Sequence, residues 1–327
     1  FANAAPLYGE ILHRAEDGEE TVLSVLQGYI AGEGDAWEWT MAFLDRAVDD
    51  MQRQEAAAED VLGQYEAFVR NLGQRLGEMH RILAQPSDNP AFAPAQADAA
   101  QLRQWRDRIL GRTTDALDRL AERRDSLGEA EQALADRLLP RRTALLKALL
   151  RLIAAGEGGV LHRIHGDFHL GQVLVASGDA VIIDFEGEPA QPLAERRAKD
   201  RPWRDVAGIL RSLDYALAAR QRAGVTSREA FEVMAANFTA RIPAALLAAY
   251  RAAAPDSADP ARDAALLDLF LIEKAAYEIR YEAANRPTWL GLPVRGLAAL
   301  ASRMLGDTGT PPHDPAAPNP EGGGDHE

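Results

Sequence analysis

The 327-residue sequence contains no cysteine, which excludes disulfide bonds and thiolate metal sites. It has fewer basic than acidic residues, 36 against 50, so its formal net charge is −14. This excess of negative charge argues against a surface that binds nucleic acid or anionic lipid. The sequence also lacks a run of about 18 apolar residues and a signal-peptide pattern, so we expect a cytoplasmic protein without a membrane span.

The clearest chemical signal lies in residues 162–186, which read HRIHGDFHLGQVLVASGDAVIIDFE. Asp167 is followed five residues later by Gln172. The apolar and β-branched runs on either side of Ser177-Gly178-Asp179 predict a β-hairpin. We expect this hairpin to return Asp184 to the side of Gln172.

This spacing suits phosphoryl transfer, which requires mainly that a protein position two reactants and neutralise charge. Asp167 could accept the proton of an acceptor hydroxyl, while Gln172 and Asp184 offer the oxygen ligands that Mg²⁺ prefers. Two alternatives stay open at this point. The HGD and IDFE motifs could be ordinary turn and strand-end residues, or His165, Asp167 and His169 could form a transition-metal site.

Two stretches carry a resemblance to a known family. HGDFHLGQ followed by IDFEGEP resembles the maltokinases, a branch of the aminoglycoside-phosphotransferase-like kinases that is similar to the C-terminal module of some trehalose synthases. The wider superfamily has Asn where this chain has Gln172, and the maltokinase pattern has Gln. EKAAYEIRYEAANRPTW at residues 273–289 is similar to the Lys-x-x-Tyr-Glu-x-x-Tyr-Glu-x-x-Asn-Arg-Pro-x-Trp stretch of that family.

The resemblance implies an enzyme that uses ATP and Mg²⁺ to phosphorylate maltose at its anomeric hydroxyl, giving maltose 1-phosphate for glycogen and trehalose metabolism. Asp167 would be the catalytic base, and His165 would orient the loop that carries it. Gln172 and Asp184 would hold Mg²⁺. Asp205 would hold the catalytic loop through backbone N–H groups, although an Asp in the first turn of a helix is explained equally well by the helix dipole.

The second stretch predicts an acceptor site on a helix. Tyr277 and Tyr281 lie one turn apart, and sugar pockets combine aromatic surface with carboxylates and amides. The predicted acceptor contacts are His169, Glu273, Lys274, Tyr277, Glu278, Tyr281, Glu282, Asn285 and Arg286. The alternative is an amphipathic helix with half-buried tyrosines and solvated charges.

We expect an α+β, mostly helical fold similar to the large C-terminal lobe of protein kinases, with only the end of the small nucleotide lobe. Residues 1–34 would form the last strands of that lobe and the hinge, where Gln27 and Tyr29 would meet the adenine. Residues 35–306 would form the helical lobe, with the catalytic loop and hairpin at 160–187. Residues 307–327 should be disordered. The glycine-rich loop, strand lysine and partner glutamate of kinases are missing, so we expect a fragment with weak turnover.

Helical patterns and breakers divide the large lobe further. Asp35 predicts the N-cap of a first helix, and Pro140 predicts a kink or a split in a helical hairpin. The predicted helices span about 61–83, 97–124, 127–155, 227–254 and 262–286. The hairpin could be a packing scaffold or a wall of the acceptor pocket.

Two other functions remain open from the sequence. The chain could be a different small-molecule kinase of the same fold, or a non-catalytic module fused to or associated with a trehalose synthase. A binding-only module has no need of Asp167, Gln172 and Asp184, which weakens the second alternative.

Overall fold

The computed structural model describes residues 1–18, 20–53, 61–255 and 259–306. The predicted disordered tail at 307–327 lies outside these residues. Two antiparallel strands, β1 (Leu7–Arg14) and β2 (Glu20–Gln27), open the chain and confirm the predicted strand pair. Large apolar side chains are exposed on both faces of this ribbon: Leu7, Tyr8, Ile11, Leu12, Val22, Leu23, Val25 and Leu26. Within the described ranges, no element covers these faces.

The first two helices follow the ribbon. Helix α1 (Ala36–Gln52) begins where the Asp35 carboxylate accepts the Glu38 N–H at 2.8 Å, which confirms the predicted N-cap. Helix α2 (Gly63–Leu83) runs along α8 (Arg228–Ala253). Gly73 allows the backbones of α2 and α8 to approach closely, because a Cβ on it would lie 2.4 Å from the carbonyl oxygen of Leu246.

The predicted helical hairpin is present. It consists of α3 (Ala99–Arg123), α4 (Glu129–Leu138) and α5 (Arg142–Ala155). Pro140 lies in a short 3₁₀ turn between α4 and α5, so the predicted split is confirmed. A small pair of strands, β3 (Ala95–Gln96) and β4 (Val160–Leu161), joins the two ends of this insertion.

The catalytic hairpin is formed by β5 (Val173–Ala176) and β6 (Asp179–Ile182). Ser177 and Gly178 both have positive φ, 53° and 74°, which is the signature of a type I′ turn. The twist of this turn matches the twist of the two strands, so a few adjacent residues are enough to specify the hairpin. The guanidinium of Arg75 in α2 donates two hydrogen bonds to the Asp179 carboxylate, at 3.0 and 2.8 Å. This bidentate ion pair fixes the hairpin to the helical lobe.

The remaining helices are α6 (Leu193–Arg196), α7 (Trp203–Arg222), α9 (Pro260–Asn285) and α10 (Gly291–Leu305). Apolar side chains of α7, α9 and α10 complete a single buried core. Among the described residues, one helix is long and apolar enough to span a membrane by length and composition, and it is α8. Buried α8 residues such as Phe231, Phe238 and Leu246 belong to the protein core, so the fold itself accounts for this apolar sequence.

Helix α7 lies directly behind the catalytic loop. A Cβ on Gly208 would come within 2.4 Å of the carbonyl oxygen of Phe168, so only glycine permits this contact. The side chains one turn before and one turn after it, Asp205 and Ser212, both bind backbone N–H groups of the loop. One face of α7 therefore positions the whole loop.

We expect Gly208→Ala to lower the free energy of unfolding by about 1–3 kcal/mol, because the added methyl forces the loop away from α7. The matched control is Gly111→Ala in α3, where a Cβ would meet nothing within 4 Å. That change should raise stability by about 0.5–1 kcal/mol through its helix propensity. Urea denaturation of both variants tests the contact, and equal stability of the two variants would contradict it.

Candidate active site

The loop after β4 is held by one buried carboxylate. Asp205 is 1% exposed, and its two oxygens accept the N–H groups of His165 at 2.7 Å and Gly166 at 2.9 Å. Burial works to raise the pKa of Asp205, but the hydrogen bond from His80 and the other polar contacts outweigh it and hold the pKa below its usual range. An ionised carboxylate accepting several N–H groups is a strong clamp on the loop.

His165 lies beneath the loop and is 2% exposed. Its Nδ1 accepts the N–H of Asp167 at 3.4 Å, so Nε2 carries the proton and donates it to the carbonyl of Ile183 at 2.8 Å. The ring therefore bridges the catalytic loop and the strand that ends at Asp184. This arrangement makes His165 a positioning residue, whereas its burial keeps it away from a substrate.

Asp167 faces an open cleft. Its carboxylate lies 3.9 Å from the ammonium of Lys274 and 3.9 Å from Nε2 of His169. His169 is anchored by its Nδ1, which accepts the N–H of Gly171 at 3.1 Å. Burial lowers the pKa of His169. The predicted base thus has a cation and an imidazole at its edge.

Gln172 and Asp184 are brought together, as the hairpin predicted. The Gln172 side-chain amide donates to the Asp184 carboxylate at 3.1 Å. Asp184 has a left-handed backbone with φ of 61°, which turns its side chain out of the strand direction. A half-turn of the Gln172 amide would place its oxygen beside the carboxylate, so this pair of hard oxygen donors fits Mg²⁺.

A transition-metal site was the alternative for His165, Asp167 and His169. Nε2 of His165 and Nδ1 of His169 are already used by backbone partners. In the part of the chain that the structure describes, no group of three or more His, Asp or Glu side chains is placed to hold a metal ion.

The cleft around Asp167 is lined by α3, α7, α9 and the loop after the hairpin. Glu188 reaches into it and accepts the Tyr277 O–H at 3.2 Å. Burial, followed by the negative charge of Asp167, raises the pKa of Glu188. Gln191 is fixed on the same loop by Arg112 at 2.9 Å. Glu188, Gln191 and Arg112 were not predicted as site residues.

Three of the predicted acceptor contacts are carboxylates that bind neighbouring side chains of the protein. Glu273 is 4% exposed and bound to Arg108 and Arg112, and these cations with Arg204 outweigh its burial and lower its pKa to about 2. Glu278 is 6% exposed and Glu282 is 1% exposed, and both carboxylates accept hydrogen bonds from other side chains. Glu273 also lines the cleft at Asp167. The bonds of Glu278 and Glu282 oppose their predicted contacts with a sugar, because neighbouring side chains already occupy these buried carboxylates.

Glu278 pairs with the fully buried Arg211 at 2.6 and 3.0 Å. Glu282 accepts from Tyr215 at 3.2 Å and from Arg286 at 2.6 Å. These ion pairs tie α9 to α7 and to its own C-terminal end. Asn285 is exposed, and its side-chain amide donates to the carbonyl of Tyr281 in the last turn of the helix.

The aromatic residues of α9 form a stacked row that leads away from Asp167. Lys274 lies over the Tyr277 ring, and Tyr277 stacks on Tyr281 with 6.2 Å between ring centroids. Arg286 lies over Tyr281 at 5.4 Å and over Trp289 at 5.3 Å. Tyr277 lines the cleft, and Tyr281 is 43% exposed at its edge.

The two predicted hinge residues lie outside the cleft at Asp167. Gln27 ends β2 opposite Leu7, and Tyr29 is 91% exposed. Neither residue is among those that line the cleft at Asp167. The segment that follows them docks on the catalytic hairpin, where the Glu33 N–H donates to the Val175 carbonyl at 2.8 Å.

Arg211→Met should lower the free energy of unfolding by about 3–5 kcal/mol, because it leaves the buried Glu278 carboxylate without its main partner. The control is Arg228→Met, which removes an exposed i, i+4 pair with Glu232 and should cost less than about 0.5 kcal/mol. Chemical denaturation measures both changes. If Arg211→Met cost no more than the control, the structural role of Glu278 would be refuted.

Comparison with known proteins gives the wider relationship. The profile of the family described as APH, the phosphotransferase enzyme family, matches residues 10–229. A glucosamine kinase of Streptacidiphilus jiangxiensis is 31% identical over 301 residues, which are 91% of this chain and 62% of that protein. A glucosamine kinase of Mycolicibacterium smegmatis (strain ATCC 700084 / mc(2)155) is 26% identical over 306 residues, 90% of this chain and 66% of that protein. The chain thus spans about two thirds of the length of these relatives.

Solved structures show the same fold. A glucosamine kinase in complex with glucosamine, ADP and inorganic phosphate matches with a TM-score of 0.75 and 24% identity, covering 94% of this chain and 70% of that one. Crystal form B of a glucosamine kinase matches with a TM-score of 0.70 and 24% identity over 92% of this chain and 65% of that one. These likenesses show the kinase-like, mostly helical fold, and the relatives named here do not single out the maltokinase branch. Since the family profile matches more than half of its residues, the chain belongs to the phosphotransferase enzyme family.

Proposed function

We propose that this chain carries the catalytic and acceptor-binding part of an ATP-dependent sugar kinase whose acceptor is an amino sugar of the glucosamine type. One observation carries the choice of acceptor. The side chains of Asp167 and Glu188 share one cleft, and Glu188 is half-buried there with its pKa raised by burial and by Asp167. An acceptor that brings an ammonium group would compensate this concentration of negative charge.

Asp167 is the proposed general base. It would accept the proton of an acceptor hydroxyl while the sugar oxygen forms a bond to the γ-phosphorus and the bond to the ADP oxygen breaks. The ammonium of Lys274, 3.9 Å from Asp167, would offset part of the negative charge of the base. His165 and Asp205 would fix the position of the loop, so that the base and hydroxyl meet in a reactive geometry.

Gln172 and Asp184 are the residues that would hold Mg²⁺. When bound, the ion neutralises charge on the nucleotide phosphates. The protein's own contribution is to hold these two oxygen donors side by side at the end of the hairpin. The bond from His165 to Ile183 fixes the residue just before Asp184 and so positions that carboxylate.

The exposed apolar ribbon supports a further part of the proposal. Isolated two-stranded ribbons are only marginally stable in water, and apolar side chains on both faces favour packing against more strands. We therefore keep residues 1–34 as the end of a nucleotide lobe, with Gln27 and Tyr29 at the hinge to the adenine. A cytoplasmic location likewise stays a prediction.

Maltose remains the second candidate acceptor. It is favoured by the row formed by Tyr277 and Tyr281, because stacked aromatic faces that run outward from Asp167 could carry a second sugar ring. The resemblance of residues 273–289 to maltokinases points the same way. Association with a trehalose synthase would follow only if maltose is the acceptor.

The two candidates are separated by measuring ADP release from ATP and Mg²⁺ with glucosamine, glucose and maltose. The assay uses the natural full-length protein, and we expect glucosamine to give the highest kcat/KM. A preference for maltose would refute the amino-sugar proposal and restore the maltokinase prediction.

Asp167→Asn should lower kcat by at least about 10²-fold and leave KM within about threefold, because it removes the base and little binding. The measurement is steady-state kinetics with the preferred acceptor. Asp98→Asn, at an exposed N-cap of α3 far along the chain, is a control for loss of one carboxylate. Near-normal turnover by the Asp167 variant would show that the base assignment is wrong.

Glu188→Gln should remove the preference for the amino sugar, because a neutral amide cannot compensate an ammonium. We expect kcat/KM for glucosamine to fall by about 10- to 100-fold, as for loss of a charged hydrogen bond, while kcat/KM for glucose changes by less than about threefold. Gln191→Ala, on the same loop, should affect both sugars alike. An unchanged ratio of glucosamine to glucose in Glu188→Gln would exclude Glu188 as the selecting group.

A further inference from the structure

A buried histidine lies behind the catalytic loop and is not used by the proposed chemistry. His80, near the end of α2, is 0% exposed. Its Nε2 lies 3.0 Å from Oδ2 of Asp205, and its Nδ1 lies 3.0 Å from the hydroxyl oxygen of Tyr250 on α8. Both ring nitrogens are therefore engaged, and one partner is the carboxylate that binds the loop.

The packing of α2 on α8 explains how His80 arrives there. Gly73, Gly77 and His80 are spaced four and three residues apart and share one face of α2. A Cβ on Gly77 would lie 2.8 Å from the carbonyl oxygen of Tyr250, so the two helix backbones are in direct contact at this point. This close approach brings the Tyr250 hydroxyl within reach of the His80 ring, deep in the core.

The direction of the hydrogen bonds follows from the partners. An ionised carboxylate only accepts, so Nε2 of His80 carries the proton and donates it to Asp205. Nδ1 lies within hydrogen-bond distance of the Tyr250 hydroxyl, a group that can donate or accept. The chain runs from Tyr250 through His80 to Asp205, whose oxygens also accept the N–H groups of His165 and Gly166.

The buried charge of Asp205 explains why a hydrogen-bond donor is needed at the position of His80. Asp205 is 1% exposed, and a buried charge is costly unless it is fully hydrogen-bonded. His80 supplies the side-chain donor. Burial works to raise the pKa of Asp205, and the hydrogen bond from His80 is the largest of the contacts that lower it. Without that donor, Asp205 would lose either its charge or its orientation, and the loop N–H groups would lose a strong acceptor.

We propose that His80, oriented by Tyr250, is a positioning residue that keeps Asp205 in the geometry that holds the catalytic loop and thereby places Asp167. The helix pair α2 and α8 would thus contribute to catalysis from behind the loop. The kinetic part of the test rests on the proposed kinase function. The structural part does not, because loop mobility can be measured whatever reaction the cleft performs.

The test compares four variants in the natural full-length protein. His80→Met fills the site without a donor, and His80→Gln supplies an amide N–H for Asp205 and a carbonyl oxygen for Tyr250. Tyr250→Phe removes only the hydroxyl. The matched control is Tyr65→Phe on the same helix α2, which removes a fully buried hydroxyl that bonds Thr40 at 2.8 Å and does not bond Asp205.

Amide hydrogen exchange of His165 and Gly166 is the first readout. His80→Met should speed exchange at these amides by at least about tenfold, Tyr250→Phe by a smaller factor, and Tyr65→Phe not at all. The second readout is steady-state kinetics. We expect His80→Met to lower kcat by about 10- to 100-fold with KM within about twofold, as for a displaced catalytic group, and His80→Gln to recover most of that loss.

Unchanged loop exchange in His80→Met, or an equal effect of Tyr65→Phe, would overturn the inference. If His80→Met does not fold, Tyr250→Phe carries the test, and unchanged exchange at His165 and Gly166 in that variant would overturn it as well. If the wild-type protein phosphorylated no sugar while the exchange results held, the proposed function would fail and the positioning role would stand.

Discussion

The site depends on a buried negative charge that is placed against the backbone of a loop. Asp205 would be unstable in the core without donors, and the loop would be undefined without an acceptor, so each requires the other. Gly208 allows the loop to approach α7 closely enough for both conditions to be met. The position of the catalytic loop, and with it that of Asp167, follows from this contact.

Features set by neighbours in the chain could be predicted. The hairpin at Ser177-Gly178, the N-cap at Asp35 and the split at Pro140 each depend on a few adjacent residues and on local backbone preferences. The approach of Gln172 to Asp184 follows from the hairpin alone. The wider phosphotransferase relationship was also readable, because those same residues carry the motifs.

Features set by packing between distant elements could not be predicted. The pattern of α9 shows which residues share a face, but it does not show that α7 presents Arg211 to that face. Glu278 was therefore taken for a sugar contact, although it is a buried ion pair. Glu188 was missed for the converse reason, since a carboxylate in a Gly–Pro turn gives no sign that Tyr277, 89 residues later, will meet it.

The distribution of charge connects the fold to the choice of acceptor. The chain has 14 more acidic than basic residues, and cations near the cleft are largely committed to the framework. Arg108 and Arg112 bind Glu273, and Arg204 binds Asp200, whereas the Lys274 ammonium lies beside Asp167. Lys274 and the Tyr277 hydroxyl offset part of the charge at Glu188, and an ammonium on the acceptor would offset more of it. The proposal of an amino-sugar acceptor rests on this arrangement of charges.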